Sequence, residues 1–363
     1  ARYASVSLVG VSSLVRRFAA PAVWREIEYE IRAGLNPGPL PAAAHLAQML
    51  AGESSRSTVV QWVTAAEIDA AIAKLRESGE KYSLIVLAQA DATAAESRSM
   101  ANQLKTSLES ARAARVYLRA ILSAGVDVAD ADIVTAFDGI DAERVVLCAG
   151  DCYLGGGNIK GSFRRPLAWA AAIKAARNRF SSDLGNGADG SLDFIDDYTR
   201  DEFFATTKLR QDAHATVLET RPGSEDGVFF AYGITLAADD VGDPYSDFSV
   251  CRVIDEACRI CQPLLNQEVN NDPDLKGNGT VTDAYGDDVE NKLDNALEAG
   301  LTQTADGVKH ASSVKSKVDR NNVLATSEDL RVDIEVQKKG KNKTVTAQIG
   351  ISSTSTVEQN AAA

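Results

Sequence analysis

Two short runs leave this chain few ways to fold. Leu84-Ile85-Val86-Leu87-Ala88 and Val145-Val146-Leu147-Cys148-Ala149 have no polar side chain at either parity. Successive side chains of a strand point to opposite faces, so a run that is apolar throughout is a strand covered on both sides. Around these runs the pattern turns helical. Residues 59–63 read as another strand. Thr64-Ala65-Ala66-Glu67 spells a capping box, in which hydroxyl and carboxylate satisfy amides left open at a helix start, and Ile68, Ile72 and Leu75 follow at helical spacing. A polar, Ala-rich helix is predicted over 94–111 and a short one over 133–137. Residues 116–122 read as a strand, with helix as the alternative. Strand–helix–strand repetition predicts an α/β half, a mainly parallel sheet with flanking helices.

Upstream, residues 5–11 alternate loosely, as a short strand or an extended arm. Residues 22–33 have mixed helical character, 34–39 form a break, and 42–50 are a short helix candidate. Downstream of the second apolar run comes a glycine-rich loop, Leu154-Gly155-Gly156-Gly157-Asn158-Ile159-Lys160-Gly161-Ser162. A helix follows from about Pro166, whose missing amide is harmless in a first turn. A second unit begins near residue 192. Residues 215–220 and 227–233 read as strands around a turn. The strongest helix covers 250–265, with Val250, Val253, Ile254, Ala257, Cys258, Cys261, Leu264 and Leu265 on its apolar stripe. An acidic helix over 283–299 ends at Gly300, and 308–323 is basic and poorly patterned. Two strands close the chain. Leu330, Val332, Ile334 and Val336 alternate with polar residues, as do Val345, Ala347, Ile349 and Ile351, with a basic turn at 338–342 between them. This second half is α+β. The expected division is 1–20 an N-terminal arm, 21–190 the α/β domain, 191–353 the α+β domain and 354–363 a tail.

Composition narrows the function. The 363 residues carry a net charge of −13, so nucleic acid is not the default partner. No apolar run reaches the ~18 residues of a membrane span, and the N-terminus lacks the order of a signal peptide. Five cysteines in a chain this long do not make a disulfide framework and point to a reducing compartment during folding.

Motifs that suggest chemistry fail on inspection. Cys258 and Cys261 form a C-x-x-C, but on the apolar face of a helix rather than on a turn. Cys148 ends a buried strand, four residues before Cys152. All read as structural. The glycine loop lacks the Gly-Lys-Ser/Thr order of a phosphate cradle and the spacing of a dinucleotide fingerprint. Asp272-Pro273-Asp274 opens like a calcium loop, but Lys276 stands where an oxygen ligand belongs and Asp283 replaces the closing glutamate. His45, His214 and His310 are scattered. Asp91 and Asp151 sit just past buried strands, where open α/β sheets place ligands. With the glycine loop they define the alternative reading, a small-molecule enzyme. The main expectation is no catalytic residue, no cofactor and no metal.

The C-terminal half resembles the sheath protein of contractile phage tails and related contractile injection systems. The likeness is carried by landmarks in order: Arg221-Pro222-Gly223-Ser224-Glu225-Asp226-Gly227-Val228-Phe229-Phe230, then Asp243-Pro244-Tyr245-Ser246-Asp247-Phe248, then Arg252-Val253-Ile254-Asp255-Glu256-Ala257-Cys258-Arg259-Ile260. The acidic helix and terminal strands complete it, and the α/β half resembles the family's outer domain in kind. The resemblance implies a structural subunit that polymerises as stacked, six-fold rings around an inner tube and contracts to drive that tube through a cell envelope. Implied partners are further copies of the chain, the tube protein, and baseplate and terminator proteins at the ends, with no direct nucleic-acid contact and no membrane insertion. The implied location is a virion tail or contractile particle assembled in the cytoplasm of a bacterial host. Another tail component, tube or baseplate, is a second alternative. Terminal arms of such subunits add strands to a neighbour's sheet, which points to Val6 and Leu8 at one end and Val345, Ala347, Ile349 and Ile351 at the other. By charge, tube-contact candidates are Asp287, Asp288 and Glu290 on the acidic helix and Lys315 and Lys317 in the basic stretch.

Overall fold

The computed structural model describes residues 6–10, 60–62, 68–77, 83–88, 92–155, 163–198, 212–220, 227–231, 233–238, 244–269, 271–304, 307–327 and 330–338. Its strands are β1 Val6–Gly10, β2 Val60–Trp62, β3 Leu84–Leu87, β4 Arg119–Ser123, β5 Val145–Cys148, β6 Asp151–Leu154 and β7 Phe163–Pro166. They continue with β8 Ile195–Tyr198, β9 Ala215–Thr216, β10 Leu218–Thr220, β11 Val228–Phe230, β12 Ala311–Val318 and β13 Val332–Lys338. The helices are α1 Ile68–Glu77, α2 Ala94–Ala113, α3 Asp130–Phe137, α4 Leu167–Arg177, α5 Phe248–Gln267, α6 Asp283–Leu297 and the single turn α7 Leu324–Ser327. The capping box expected at 64–67 falls outside the described residues. Another one, Thr93 with Glu96, starts α2.

Both apolar runs are interior strands. The main sheet is parallel throughout, in the order β2-β1-β3-β4-β5-β9. Parity divides their side chains between two cores. Leu84, Val86, Ile121, Val146 and Cys148 join the core built on α4. Ile85, Leu87, Ala120, Leu122, Val145 and Leu147 join the one built on α1, α2 and α3. Helix α4 is buried all round, as an Ala-rich helix against a sheet can be. Its buried cation, Lys174, donates to the carbonyls of Gly190 at 3.0 Å and Asp189 at 3.3 Å, so its charge is not stranded.

The residues just before the glycine loop, to which the sequence assigns no element, form strand β6. β6 pairs antiparallel with β7 and β8, and the glycine run connects β6 to β7. Gly155 lets the exposed Asp196 carboxylate lie close, 1.8 Å from where a Cβ would stand. The strand expected over 215–220 divides at Val217. Its first part, β9, extends the parallel sheet beside β5, while β10 pairs with β11. Leu192, Phe194, Leu218, Phe230 and Phe248 therefore belong to the α4 core. The α/β core thus runs past the boundary drawn at residue 190.

A third core fills the C-terminal unit. Val253, Ala257 and Cys261 of α5, Val289, Leu293 and Leu297 of α6, and Ala311 and Val318 of β12 form it, with Val332, Ile334 and Val336 of β13 packed at its margin. β12 corrects the reading of 308–323 as unpatterned. Its inward positions are Val314, Ser316 and Val318, and the serine in the middle breaks the apolar alternation. β13 pairs with β12 in antiparallel register, Ser316 opposite Ile334 and Val318 opposite Val332. Gly300 does not stop α6, because the chain continues through a π-turn, Glu298–Thr302. Its small size admits Ile260 of α5, whose Cδ1 would be 2.4 Å from a Cβ at 300.

Candidate functional site

The β12–β13 ribbon and the helix beneath it hold most of the residues that charge and pattern single out. One face of the ribbon is apolar and packed. The other presents Lys315 and Lys317 directly across from Glu335 and Asp333, all four exposed. Opposite charges on facing strands attract. The basic stretch is thus a face of mixed sign, not a positive patch.

The acidic helix is also partly neutralised within the chain. Arg320, just beyond β12, reaches Glu290 Oε1 at 2.6 Å and Asp287 Oδ1 at 2.5 Å. Asp288 pairs with Lys292 at 2.6 Å, one helical turn on. Glu290 accepts from the backbone N–H of Val318 at 2.7 Å, and Asp294 from that of Ser316 at 2.6 Å. Hence Glu290 is built into the joint between α6 and β12, whereas Asp287, Asp288, Lys315 and Lys317 keep exposed side chains. Asp294, which no sequence pattern singles out, belongs with Glu290.

The Arg320 hydrogen bond holds the Glu290 carboxyl below its ordinary value. A carboxylate with a depressed folded pKa adds stability that is complete above the ordinary value of 4.5 and lost as pH falls through the folded value. Acid titration below about pH 4.5 should therefore loosen β12 from α6 before it disturbs the parallel sheet, whose core carries few carboxylates. Hydrogen exchange of the Val318 amide against that of Ile121 measures the order; simultaneous loss would contradict it.

Beyond Lys338 lie Val345, Ala347, Ile349 and Ile351, outside the described residues. Lys338 itself is tied down: its ammonium contacts the Ser249 hydroxyl and lies 3.7 Å from Asp247 Oδ1, the side chain that caps α5. Among the described residues, no strand pairs with the second edge of β13. Val6 and Leu8 are in β1, which is paired on one side with β2 and on the other with β3. Both edges of that strand are taken inside the chain.

At the C-terminal end of the parallel sheet, Asp91 is outside the described residues. Asp151 is buried and bonded to Arg164, which also holds Asp127 at 2.8 Å. The Asp151 carboxylate, which the enzyme alternative would use, is thus already engaged by an arginine. All five cysteines are unpaired. Burial pushes the Cys148 and Cys152 thiols far up, and those of Cys251 and Cys261 to about 11 and about 12, which disfavours the thiolate that nucleophiles and metal ligands require. His310 is buried against Phe180, ring centroids 4.2 Å apart, with Nδ1 2.7 Å from Ser181 Oγ. Among the described residues, no cluster of three or more His, Cys, Asp or Glu is placed to hold a metal, and no helix is long and apolar enough to cross a membrane.

The opposite end of the sheet carries a charge cluster that the sequence did not suggest. Arg119, which opens β4, and Arg144, which precedes β5, converge on Asp255 of α5. Asp255 Oδ2 is 2.7 Å from Arg119 Nε, and Oδ1 is 2.8 Å from Arg144 Nη2. The three side chains are at most 5% exposed. Remaining donors go to backbone carbonyls, Arg119 Nη1 to Glu143 at 2.9 Å and Arg144 Nε to Leu118 at 3.2 Å. Burial works against both cations and the Asp255 carboxylate works for them. The balance leaves Arg119 above and Arg144 below the ordinary guanidinium value. Further along α5, Arg259 donates to the Tyr117 carbonyl, and Arg115 donates to Asn266 at 2.7 Å. Burial pushes the Arg252 guanidinium down to about 10, and Arg252 donates to the Ala175 carbonyl of α4 at 3.3 Å. One helix is therefore shared by the core built on α4 and the C-terminal core.

No protein-family model matches the chain, and no curated protein matches it. Solved structures do. The sheath of an extracellular contractile injection system, a PVC sheath complex in the contracted state, superposes with a TM-score of 0.62 at 10% identity over 96% of this chain and 92% of that one. A sheath tail protein from Desulfitobacterium hafniense aligns at a TM-score of 0.43 and 14% identity, over 76% of this chain and 60% of its own. The first of these is a likeness of fold along nearly the whole chain.

Proposed function

We propose that this chain, which has the fold of a contractile injection system sheath protein, is a structural sheath subunit and not an enzyme. The observation that carries the reading is the extent of the fold match, 96% of this chain and 92% of the other. The ribbon adds to it: a packed two-stranded sheet with one edge still able to accept a strand is a ready joint for a polymer. In this reading the subunits stack as six-fold rings around an inner tube and contract, the energy residing in the packing of the extended state, so no nucleotide is required. Baseplate and terminator proteins close the ends, and the particle is assembled in a bacterial host before it acts outside. The exchanged strand is 344–351, with Val345, Ala347, Ile349 and Ile351 at alternate positions, and residues 339–343 bridge it to the pinned Lys338. The N-terminal strand, held on both sides in its own sheet, is not needed for the joint. The tube contact falls on the exposed charges of the C-terminal unit, Asp287, Asp288, Lys315 and Lys317, where solvated pairs release without a large apolar penalty.

The test is electron microscopy of the purified chain, alone and co-expressed with a tube protein. Helical tubes are the expected product. Deleting residues 339–363 should abolish tubes and leave a folded monomer with unchanged far-ultraviolet circular dichroism. A chain that stays monomeric under every condition, or a deletion that still assembles, defeats the proposal.

A further inference from the structure

The ribbon has two outer edges, and the chain treats them differently. Along the C-terminal half of β12 the outward amides of Ser316 and Val318 are already used. Ser316 N–H donates to Asp294 Oδ1 at 2.6 Å and Val318 N–H to Glu290 Oε1 at 2.7 Å. The Ser316 hydroxyl lies 2.5 Å from the same Asp294 oxygen and 3.1 Å from the Glu290 carbonyl. Arg320 grips Glu290 from the far side, Nη1 to Oε1 at 2.6 Å and Nη2 to Oε2 at 3.1 Å. Helix α6 thus lies where another strand would have to enter, and its carboxylates replace that strand's carbonyls.

Ladder parity determines what the other edge offers. In an antiparallel pair, opposed residues alternate between exchanging hydrogen bonds and turning their backbone groups outward. Asp319 N–H donates to the Arg331 carbonyl at 2.9 Å, so 319 and 331 are a bonded pair. Two steps along, 317 with 333 and 315 with 335 are bonded as well. The pairs between, Val318 with Val332 and Ser316 with Ile334, turn outward. The outward amides of Ser316 and Val318 on β12 obey this parity. Val332, Ile334 and Val336 therefore present N–H and C=O groups along the second edge of β13, where no described strand pairs.

We infer that Asp294 and Glu290 are edge-closing residues, which leave β13 as the single growth edge of the ribbon and so make strand addition one-sided. The incoming strand is the 344–351 segment of a second copy of this chain; that identity rests on the sheath reading, whereas the closure of the β12 edge does not. One-sided addition matters for a polymer joint. A ribbon open on both edges accepts a strand in two places, and such chains branch or aggregate.

The test compares Asp294→Ala with Asp294→Asn in the full chain. Asparagine keeps a side-chain oxygen for the Ser316 amide, and alanine does not. In dilute solution the Ser316 amide should exchange about tenfold faster in D294A than in wild type and D294N. At assembly concentration D294A should also form branched or laterally fused aggregates, while D294N behaves as wild type. Glu290→Ala against Glu290→Gln repeats the comparison at Val318, so misfolding of one variant leaves the other to decide. Equal exchange and equal assembly products in the Ala and amide variants overturn the inference. Protection of the Ile334 amide in the dilute monomer also overturns it, because the chain's own segment would then fill the β13 edge. Failure of wild type to form tubes, with the D294A exchange effect intact, counts against the sheath reading alone.

Discussion

Replacing Asp255 with alanine should cost about 3–5 kcal/mol of folding stability, the largest loss from any single side chain outside the apolar cores. The reason is what remains behind. Arg119 and Arg144 share this one carboxylate, and all three side chains are at most 5% exposed. Without it two guanidinium groups stay buried with carbonyl partners only. Their mutual repulsion, now uncompensated, adds to the desolvation. An exposed pair gives the contrast. Arg112 and Glu143 are 3.1 Å apart, but with side chains 49% and 26% exposed, and Arg112→Ala should cost less than about 1 kcal/mol. Chemical denaturation of both variants measures the difference. The cluster is not irreplaceable. Arg119→Met, Asp255→Leu and Arg144→Met together should recover most of the loss, since an apolar set of similar volume avoids the desolvation altogether. A loss near 1 kcal/mol in Asp255→Ala would mean that water reaches the cluster. Because α5 is common to the α4 core and the C-terminal core, the single substitution should also broaden the unfolding transition as the two regions lose their shared helix.

The sequence made the sheet legible wherever periodicity was unbroken. Leu84–Leu87 and Val145–Cys148 are apolar at both parities, and they are strands packed on both faces. β13 alternates cleanly and was visible. Its partner was not, because Ser316 occupies an inward position and is satisfied by Asp294, a pairing between residues 22 positions apart. The second face of α5 escaped for a similar reason. Arg252 and Asp255 are polar letters in a helical pattern, and only the fold shows that Arg119 and Arg144 meet Asp255 and that Arg252 meets the Ala175 carbonyl. Gly300 was misread because a glycine's two uses, positive φ and small size, look alike in sequence. Charge blocks are less informative than periodicity. The runs around Asp287 and Lys315 suggested patches, but Arg320 and the facing strand neutralise much of each. Periodicity tells which face of a strand is buried. It does not tell which edge is already paired, and for the candidate joint the edge decides.

That distinction yields a second large effect. Ile334→Pro should abolish assembly and leave the monomer folded, while Glu335→Pro should destabilise the monomer itself. Proline lacks the N–H and is tolerated in a strand where that group faces outward. By the ladder parity Ile334 faces outward, and Glu335 is bonded to Lys315. Proline at 335 thus removes a bond that exists in the isolated chain and should cost about 3 kcal/mol. At 334 it removes a bond that forms only when another strand adds. The apolar side chain of Ile334 is half-buried, so proline also sacrifices packing. Ile334→Ala controls for this, with an expected cost of about 1–2 kcal/mol for the lost contacts. Thermal melts should place Ile334→Pro near Ile334→Ala and well above Glu335→Pro, while micrographs should show tubes for Ile334→Ala and none for Ile334→Pro. Proline at 334 also holds Asp333 in the extended region, which β13 already requires. Tubes from Ile334→Pro would mean that subunits join through some surface other than the β13 edge. A melt for Ile334→Pro as low as that of Glu335→Pro would mean that the edge is filled within the chain, and the joint would then have to be sought elsewhere.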